Sequence, residues 1–209
     1  MKTILKSTMI VALMAATTVP FSGCKKGEGD PGISFRSRKA RIAGEWTVTK
    51  GSGTSVDDQS NTTVIWTMEG TTLTTTITVG TNPSATTTLT FDHKIIIDKD
   101  GTWSSTYNES TTGYSQAVTE SGTWNFTGGV GDSKNKSQVV MMTLAKTTNT
   151  TFNQNLSTST EVYTGSDAPT VIWDIYQLKN KEMIVKWDGT SNDGLYTDSD
   201  KGEMTMTQE

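Results

Sequence analysis

Apolar and polar residues alternate in short runs along most of the chain, and these runs are rich in threonine. A period of two indicates β-strands that bury one face, and the intervening Gly, Asn and Asp residues favour turns. One such turn is Asp98–Gly101, where the glycine can supply a positive φ. The predicted strands centre on Trp46, Trp66, Ile77, Phe91, Trp103, Trp124, Met141, Trp173, Val185 and Met204.

The predicted architecture is all-β, with eight to ten antiparallel strands in an up-and-down barrel or a sandwich. No helical segment lies between the strands, and a parallel sheet would need such crossovers. Closure into a barrel is favoured because it removes the unpaired edges that threonine-rich strands would otherwise expose. The polar stretch from Thr147 to Thr160 is predicted to form a long loop or a solvent-facing hairpin.

One segment before the strands, Ser34–Arg41, predicts a short helix. It lacks β-branched residues, and Ser34 can serve as its N-cap. All three arginines of the chain lie here, at Arg36, Arg38 and Arg41. They form either a basic patch that faces anionic lipid or an ordinary solvated helix face.

Residues 1–23 have the pattern of a secretory signal peptide. Lys2 and Lys6 precede the apolar stretch Met9–Ala16, which is too short to span a bilayer. The sequence Phe21-Ser-Gly-Cys24 resembles the bacterial lipobox, in which signal peptidase II cuts before the cysteine and the cysteine carries acyl chains such as palmitate. This resemblance implies that Cys24 is the lipidation site and membrane anchor of a lipoprotein. The alternative is a general secretory signal in which Cys24 has no role.

Residues 24–33 are polar and rich in glycine, as expected of a flexible tether that leads to one folded domain at residues 34–209. The 186 residues left after cleavage are enough for a single domain with a good core. Loss of Lys2 and Lys6 changes the net charge from -4 to -6, and no basic stripe suggests binding to nucleic acid. Because Cys24 is the only cysteine, its acylation excludes disulfides and thiol redox chemistry.

Three predicted strands share the pattern Gly-x-Trp, at Gly44-Glu-Trp46, Gly101-Thr-Trp103 and Gly122-Thr-Trp124. A glycine before an inward tryptophan lets the strand bend or another backbone approach, while the indole fills the space that opens. The first copy, directly after the predicted helix, resembles the first-strand signature of lipocalins. That resemblance implies that Gly44 and Trp46 close one end of an eight-stranded barrel.

The wider pattern, from Arg38-Lys-Ala-Arg-Ile-Ala-Gly-Glu-Trp46 to Met183-Ile-Val-Lys-Trp187, is similar to lipocalin-like (calycin-type) lipoproteins of Bacteroidota. The segment Cys24-Lys-Lys-Gly-Glu-Gly-Asp-Pro31 is typical of their amino termini. The resemblance implies a barrel in the cell envelope, anchored by lipid to the bacterial outer membrane and facing the periplasm or the cell surface. Lipocalins also place an arginine of the last strand against the first tryptophan, but no arginine follows Arg41 here. Either Lys186 replaces that arginine or the likeness is only architectural.

The predicted function is binding of a small apolar or amphipathic ligand inside the barrel. Tryptophan and methionine side chains either fill the core or line an adaptable apolar cavity. Candidate cavity-lining residues away from the closed end are Trp66, Trp103 and Tyr107, and the inward positions are expected to carry apolar residues rather than charge. The alternative function is a non-catalytic cell-surface module that contacts a protein or glycan through Thr- and Asn-rich loops. No cofactor is predicted.

Catalytic and metal sites are not predicted. His93, the only histidine, is expected at the surface beside a turn, and no nucleophile is identifiable for it. The segment Asp98–Gly101 begins like a calcium loop but lacks the later ligands and the closing glutamate. The clusters Asp57-Asp58 and Asp198-Ser-Asp200 could contact calcium weakly, but solvation of surface carboxylates suffices to explain them. The chain is therefore not expected to be an enzyme.

Overall fold

A computed structural model describes residues 36–82, 85–127, 138–192 and 197–208. The predicted signal peptide, the tether and the lipidation site Cys24 lie outside these residues. The first element within these ranges is a short helix, α1 (Arg38–Ile42). Its N-cap is Ser37, whose hydroxyl accepts a hydrogen bond from the backbone N–H of Ala40 at 3.1 Å. The predicted cap, Ser34, lies outside the described residues.

The rest of the described chain is built almost entirely from strands, as the threonine-rich alternation predicts. The eleven strands are β1 (Gly44–Asp57), β2 (Thr62–Glu69), β3 (Thr72–Val79), β4 (Ala85–Ile97), β5 (Thr102–Thr111), β6 (Tyr114–Phe126), β7 (Gln138–Phe152), β8 (Asn155–Val162), β9 (Thr170–Leu178), β10 (Glu182–Asn192) and β11 (Thr197–Thr207). One turn of 3₁₀ helix at Gly165–Asp167 lies between β8 and β9.

The strands form a closed antiparallel barrel. Neighbours follow the order β6-β5-β4-β3-β2-β1-β11-β10-β9-β7, and pairing of β7 with β6 closes this ring of ten strands. The predicted all-β antiparallel barrel preceded by a short helix is therefore confirmed. The remaining described strand, β8, lies outside this ring and pairs with β7.

The barrel widens from eight strands at one end to ten at the other. At the end next to α1, residues 44–47 of β1 pair directly with residues 94–97 of β4. Further along, residues 50–57 of β1 pair with β2 instead, so the β2–β3 hairpin lies between β1 and β4. A register shift between Val48 and Lys50 in β1 accompanies this change of partner. The interior is therefore narrow next to the helix and wide at the opposite end.

The predicted hairpin between Thr147 and Thr160 is confirmed. Residues 138–142 of β7 pair with β9, whereas residues 145–152 pair with β8. Asn153 and Gln154 form the turn with positive φ, and all eight residues of β8 are exposed. This hairpin stands outside the core of the barrel.

Glycine performs the role expected from the Gly-x-Trp pattern at its third copy. A Cβ atom on Gly122 would lie 1.8 Å from the carbonyl oxygen of Met142 on β7, and the β6–β7 register shifts at this point. The indole of Trp103 fills the adjacent space and donates to the same carbonyl at 3.1 Å. In the second copy Gly101 has a φ of 102°, which confirms the predicted turn.

Candidate functional site

Trp46 and Gly44 lie at the narrow end of the barrel. Trp46 is fully buried, and its Nε1–H donates to the carbonyl oxygen of Ile42 in α1 at 2.7 Å. Gly44 has a φ of 152°, and a Cβ there would come within 2.3 Å of the amide nitrogen of Gln208. These contacts join the helix, the first strand and the end of the chain around one indole.

The arginines of α1 do not form a solvated face or an exposed patch. Arg38 is 8% exposed and Arg41 is 4% exposed, and Arg41 donates to the backbone carbonyl of Leu178. Arg38 and Arg41 therefore fit neither the expected lipid-facing patch nor the expected solvated face, because both side chains lie against the barrel instead of in water. Lys186, the other cation considered, lies on the outer face, 3.5 Å from Glu203 and 4.3 Å from the ring centroid of Tyr176.

A cavity of about 420 Å³ lies between β1–β4 on one side and β9–β11 on the other. Ten of its lining side chains are apolar, including Trp66, Trp173, Trp187 and Met204, and the other three are Thr75, His93 and Asp200. Pairing between β9 and β10 extends only to Asp174 and Lys186, so these two strands diverge beside the cavity. A mainly apolar pocket of this size is typical of a site for one small molecule.

Glycines on β1 and β11 make room for two of these tryptophans. A Cβ on Gly53 would lie 2.5 Å from Nε1 of Trp66, and a Cβ on Gly202 would lie 2.5 Å from Cζ2 of Trp187. The two glycines are paired across the β1–β11 ladder. With no side chains beneath them, the Trp66 and Trp187 rings lie nearly parallel, with 6.1 Å between their centroids and 12° between their planes.

Asp200 lies at the rim of the cavity. One carboxylate oxygen accepts a hydrogen bond from Nε1 of Trp187 at 2.9 Å, and the other accepts one from the hydroxyl of Ser55 at 2.7 Å. Both oxygens are therefore held in place by residues of β10 and β1. The expectation that inward positions carry no charge is wrong at this residue.

His93 is inside the barrel, so its predicted surface position is wrong. Its Nε2 is 3.0 Å from the hydroxyl of Ser105, and its ring packs edge-on against Phe91 and Tyr107. Burial lowers the pKa of His93 to about 4, and the nearby charge of Asp92 offsets only part of this effect. The ring is therefore neutral at pH 7 and forms part of the cavity wall.

The inward face of β5–β7 is polar and carries further charge. The Tyr114 hydroxyl donates to Glu109 at 2.7 Å, and Lys146 lies 3.8 Å from Glu120. Burial and then the hydrogen bond to Glu109 raise the pKa of Tyr114 to about 12. Tyr114 and Lys146 therefore pair with Glu109 and Glu120 on the same wall, so these polar groups already have partners within the barrel.

The three residues predicted to line a cavity take different positions. Trp66 lines it directly. Tyr107 contacts Phe91 and His93, two residues of the cavity wall, with ring centroids 5.9 and 5.7 Å away. Trp103 is 8% exposed and packs in the core cluster together with Trp46 and Trp124. Sequence reasoning missed Trp187, Trp173 and Asp200, although Gly202 two residues after Asp200 is a signal of close packing.

The described residues contain neither a metal-binding cluster nor a membrane-spanning helix. No group of three or more His, Cys, Asp or Glu side chains in the described ranges is placed to hold a metal ion. In the same ranges, no helix has the length and apolar character needed to cross a membrane. Comparison of the chain with protein-family models, with curated proteins and with solved structures found no match in any of the three.

Proposed function

We propose that the protein is a lipocalin-like binding module that holds one small apolar or amphipathic molecule in the wide half of its barrel. The cavity of about 420 Å³ with its ten apolar lining side chains carries this proposal. A barrel of eight to ten strands is wide enough to hold one small ligand, and tryptophan and methionine walls adapt to irregular apolar shapes. The eight-stranded narrow end, where Trp46 packs under α1, supports the lipocalin-like assignment.

Binding without catalysis is the proposed mode of action, and it requires no cofactor. Among the residues that the structure describes, His93 and Ser105 form a histidine–serine pair, with Nε2 3.0 Å from the hydroxyl. A pKa of about 4 makes His93 a weak base at pH 7, since a useful general base has a pKa near the working pH. Nothing in this pair therefore favours nucleophilic catalysis over ligand binding.

Titration of the full chain with fatty acids and neutral apolar probes tests ligand binding, with intrinsic tryptophan fluorescence as the readout. Saturable binding is expected, because Trp66 and Trp187 line the site. Thr75→Trp adds bulk on a cavity-lining residue and should weaken binding by about tenfold or more. Thr74→Trp on the other face of β3 is the matched control. If no probe binds, or if both variants bind like the parent, the carrier function is wrong.

The proposed location is the outer membrane of a bacterium, through acyl chains on Cys24. The support is the sequence Phe21-Ser-Gly-Cys24 with the polar tether that follows it. Several acyl chains hold a protein firmly because each buried methylene adds about 0.8 kcal/mol. Cys24→Ala should abolish palmitate labelling and release the protein from membranes or leave the precursor uncut. A variant that is cut and retained like the parent would rule this anchor out.

A second candidate function is contact with a protein or glycan through the β7–β8 hairpin. Phe152, Leu156 and Val162 are 61%, 68% and 74% exposed, and β8 forms one edge of the sheet among the described strands. Exposed apolar side chains on a strand edge suit an interaction surface. Leu156→Ser with Val162→Ser should abolish binding to a glycan or protein panel and leave probe titration in the barrel unchanged. If panel binding survives this double change, the hairpin is not the surface.

A further inference from the structure

The charges around the cavity are arranged asymmetrically. Asp200 is the only fully charged side chain that lines it in the described part of the chain, since His93 is neutral at pH 7. Its two oxygens are fixed by hydrogen bonds from Trp187 and Ser55, at 2.9 and 2.7 Å. Both of these bonds come from neutral donors, so the negative charge of Asp200 is not balanced by either of them.

Three lysines on β1, β10 and β11 do not line the cavity, and one of them, Lys201, lines a separate depression together with Asp188 and Glu203. Lys50 of β1 lies 3.3 Å from Glu69, and Lys186 of β10 lies 3.5 Å from Glu203, both on the outer face. A shallow depression beside the rim shares Asp200 with the cavity and is also lined by Asp57 and Asp198. The local potential at the rim is therefore negative, and no described lining residue offers a positive partner to an anionic headgroup.

The aromatic walls of the cavity also favour a cationic ligand. The faces of aromatic rings are electron-rich, so they attract ammonium groups within about 6 Å of the ring centroid. Trp187 combines both features, because its indole N–H binds Asp200 while its ring lies parallel to that of Trp66. A cation bound near the rim would meet a carboxylate and at least one indole.

We propose that this cavity selects apolar molecules that carry a single cationic group, such as an alkylammonium ion. The hydrocarbon part lies against Trp66, Leu73 and Met204, and the cationic group lies at the rim beside Asp200. This inference rests on the proposed binding function and narrows its ligand class. It predicts discrimination by the charge of the headgroup, which an uncharged apolar pocket would not provide.

Three probes that share one alkyl chain test this selection: decyltrimethylammonium, decanol and decanoate. The full chain carrying Cys24→Ala is titrated by calorimetry below the micelle concentration of each probe. The cation should bind about tenfold more tightly than decanol, and decanoate should bind most weakly. Because Asp200 is exposed at the rim, the advantage of the cation should shrink as salt is raised.

Two carboxylate variants separate the role of Asp200 from net charge. Asp200→Asn keeps the shape and an acceptor oxygen, and it should lower affinity for the cation about threefold to fivefold while changing decanol binding less than about twofold. Asp188→Asn removes the same charge from the outer face of β10 and should leave all three affinities unchanged. Unfolding curves of both variants confirm that the fold is retained.

The outcomes distinguish this inference from the function on which it rests. Equal affinity for all three probes, or tightest binding of decanoate, overturns cation selection and leaves the binding function standing. Cation preference of unchanged size after Asp200→Asn overturns the assignment of Asp200. Failure of every probe to bind overturns the binding function itself.

Discussion

Individual side chains hold the narrow end of the barrel together, and Trp46 links the helix to the strands there. It is fully buried between α1 and the strands, and its indole nitrogen satisfies a carbonyl of the helix. An indole in this place contributes both packing and a hydrogen bond, so no other side chain can replace it without loss. The cavity tryptophans differ because Trp66 and Trp187 remain partly exposed.

Trp46→Ala should lower the free energy of unfolding by about 3–5 kcal/mol, the usual cost of truncating a buried tryptophan. Trp46→Phe keeps most of the packing but loses the bond to Ile42, so a smaller loss is expected. Urea unfolding measures the free energy of unfolding of both variants. The control is Trp66→Ala, which should cost less because Trp66 lies at the cavity. An unchanged midpoint for Trp46→Ala would remove Trp46 from the core.

At the scale of elements, the approach of β6 to β7 depends on a residue without a side chain. Gly122→Ala should destabilise the protein severely, because the new Cβ would stand 1.8 Å from a backbone carbonyl that cannot turn aside. Gly189→Ala is the matched control, since its nearest neighbour would be 3.8 Å away. Thermal unfolding followed by circular dichroism compares the two. Equal melting temperatures of the two variants would show that β6 and β7 can move apart at Gly122 without loss of stability.

The strands themselves could be predicted from the sequence because alternation and turn residues are local signals. The polarity of the interior could not, since Glu109, Glu120 and Lys146 lie in threonine-rich strands that are polar on both faces. Register shifts in β1, β6–β7 and β9–β10 also interrupt the alternation, so parity counted from one end assigns the wrong face beyond each shift. His93 looks like a turn residue beside Asp92, and its burial depends on Ser105 and Tyr107 of the next strand.

At the scale of the whole molecule, stability should depend on pH through His93. Its pKa is about 4 in the folded protein against 6.5 for the free side chain, so the unfolded chain binds the proton more readily. Stability is therefore complete above about pH 6.5 and falls as the pH drops toward 4. The loss between pH 7 and pH 5 should be about 2 kcal/mol.

Urea unfolding of the parent and of His93→Gln at pH 7 and pH 5 measures this dependence. The variant should show a smaller difference between the two pH values, because it has no imidazole to protonate. The pKa values of Asp57 and Asp100 are lowered by hydrogen bonds from Ser60 and Thr102, so these groups stay ionised in this window. The same pH dependence in both proteins would assign the effect to other groups.

The parallel indoles of Trp66 and Trp187 also have an optical consequence. Two like chromophores 6.1 Å apart couple their electronic transitions, so the pair should add an exciton contribution to the circular dichroism spectrum, with an amplitude set by the in-plane angle between the two transition moments. Replacing either ring by phenylalanine should remove this contribution, whereas replacing Trp103 in the core should leave it. A guest that separates or tilts the rings would change its amplitude, which gives the protein an internal optical reporter of occupancy without an added dye.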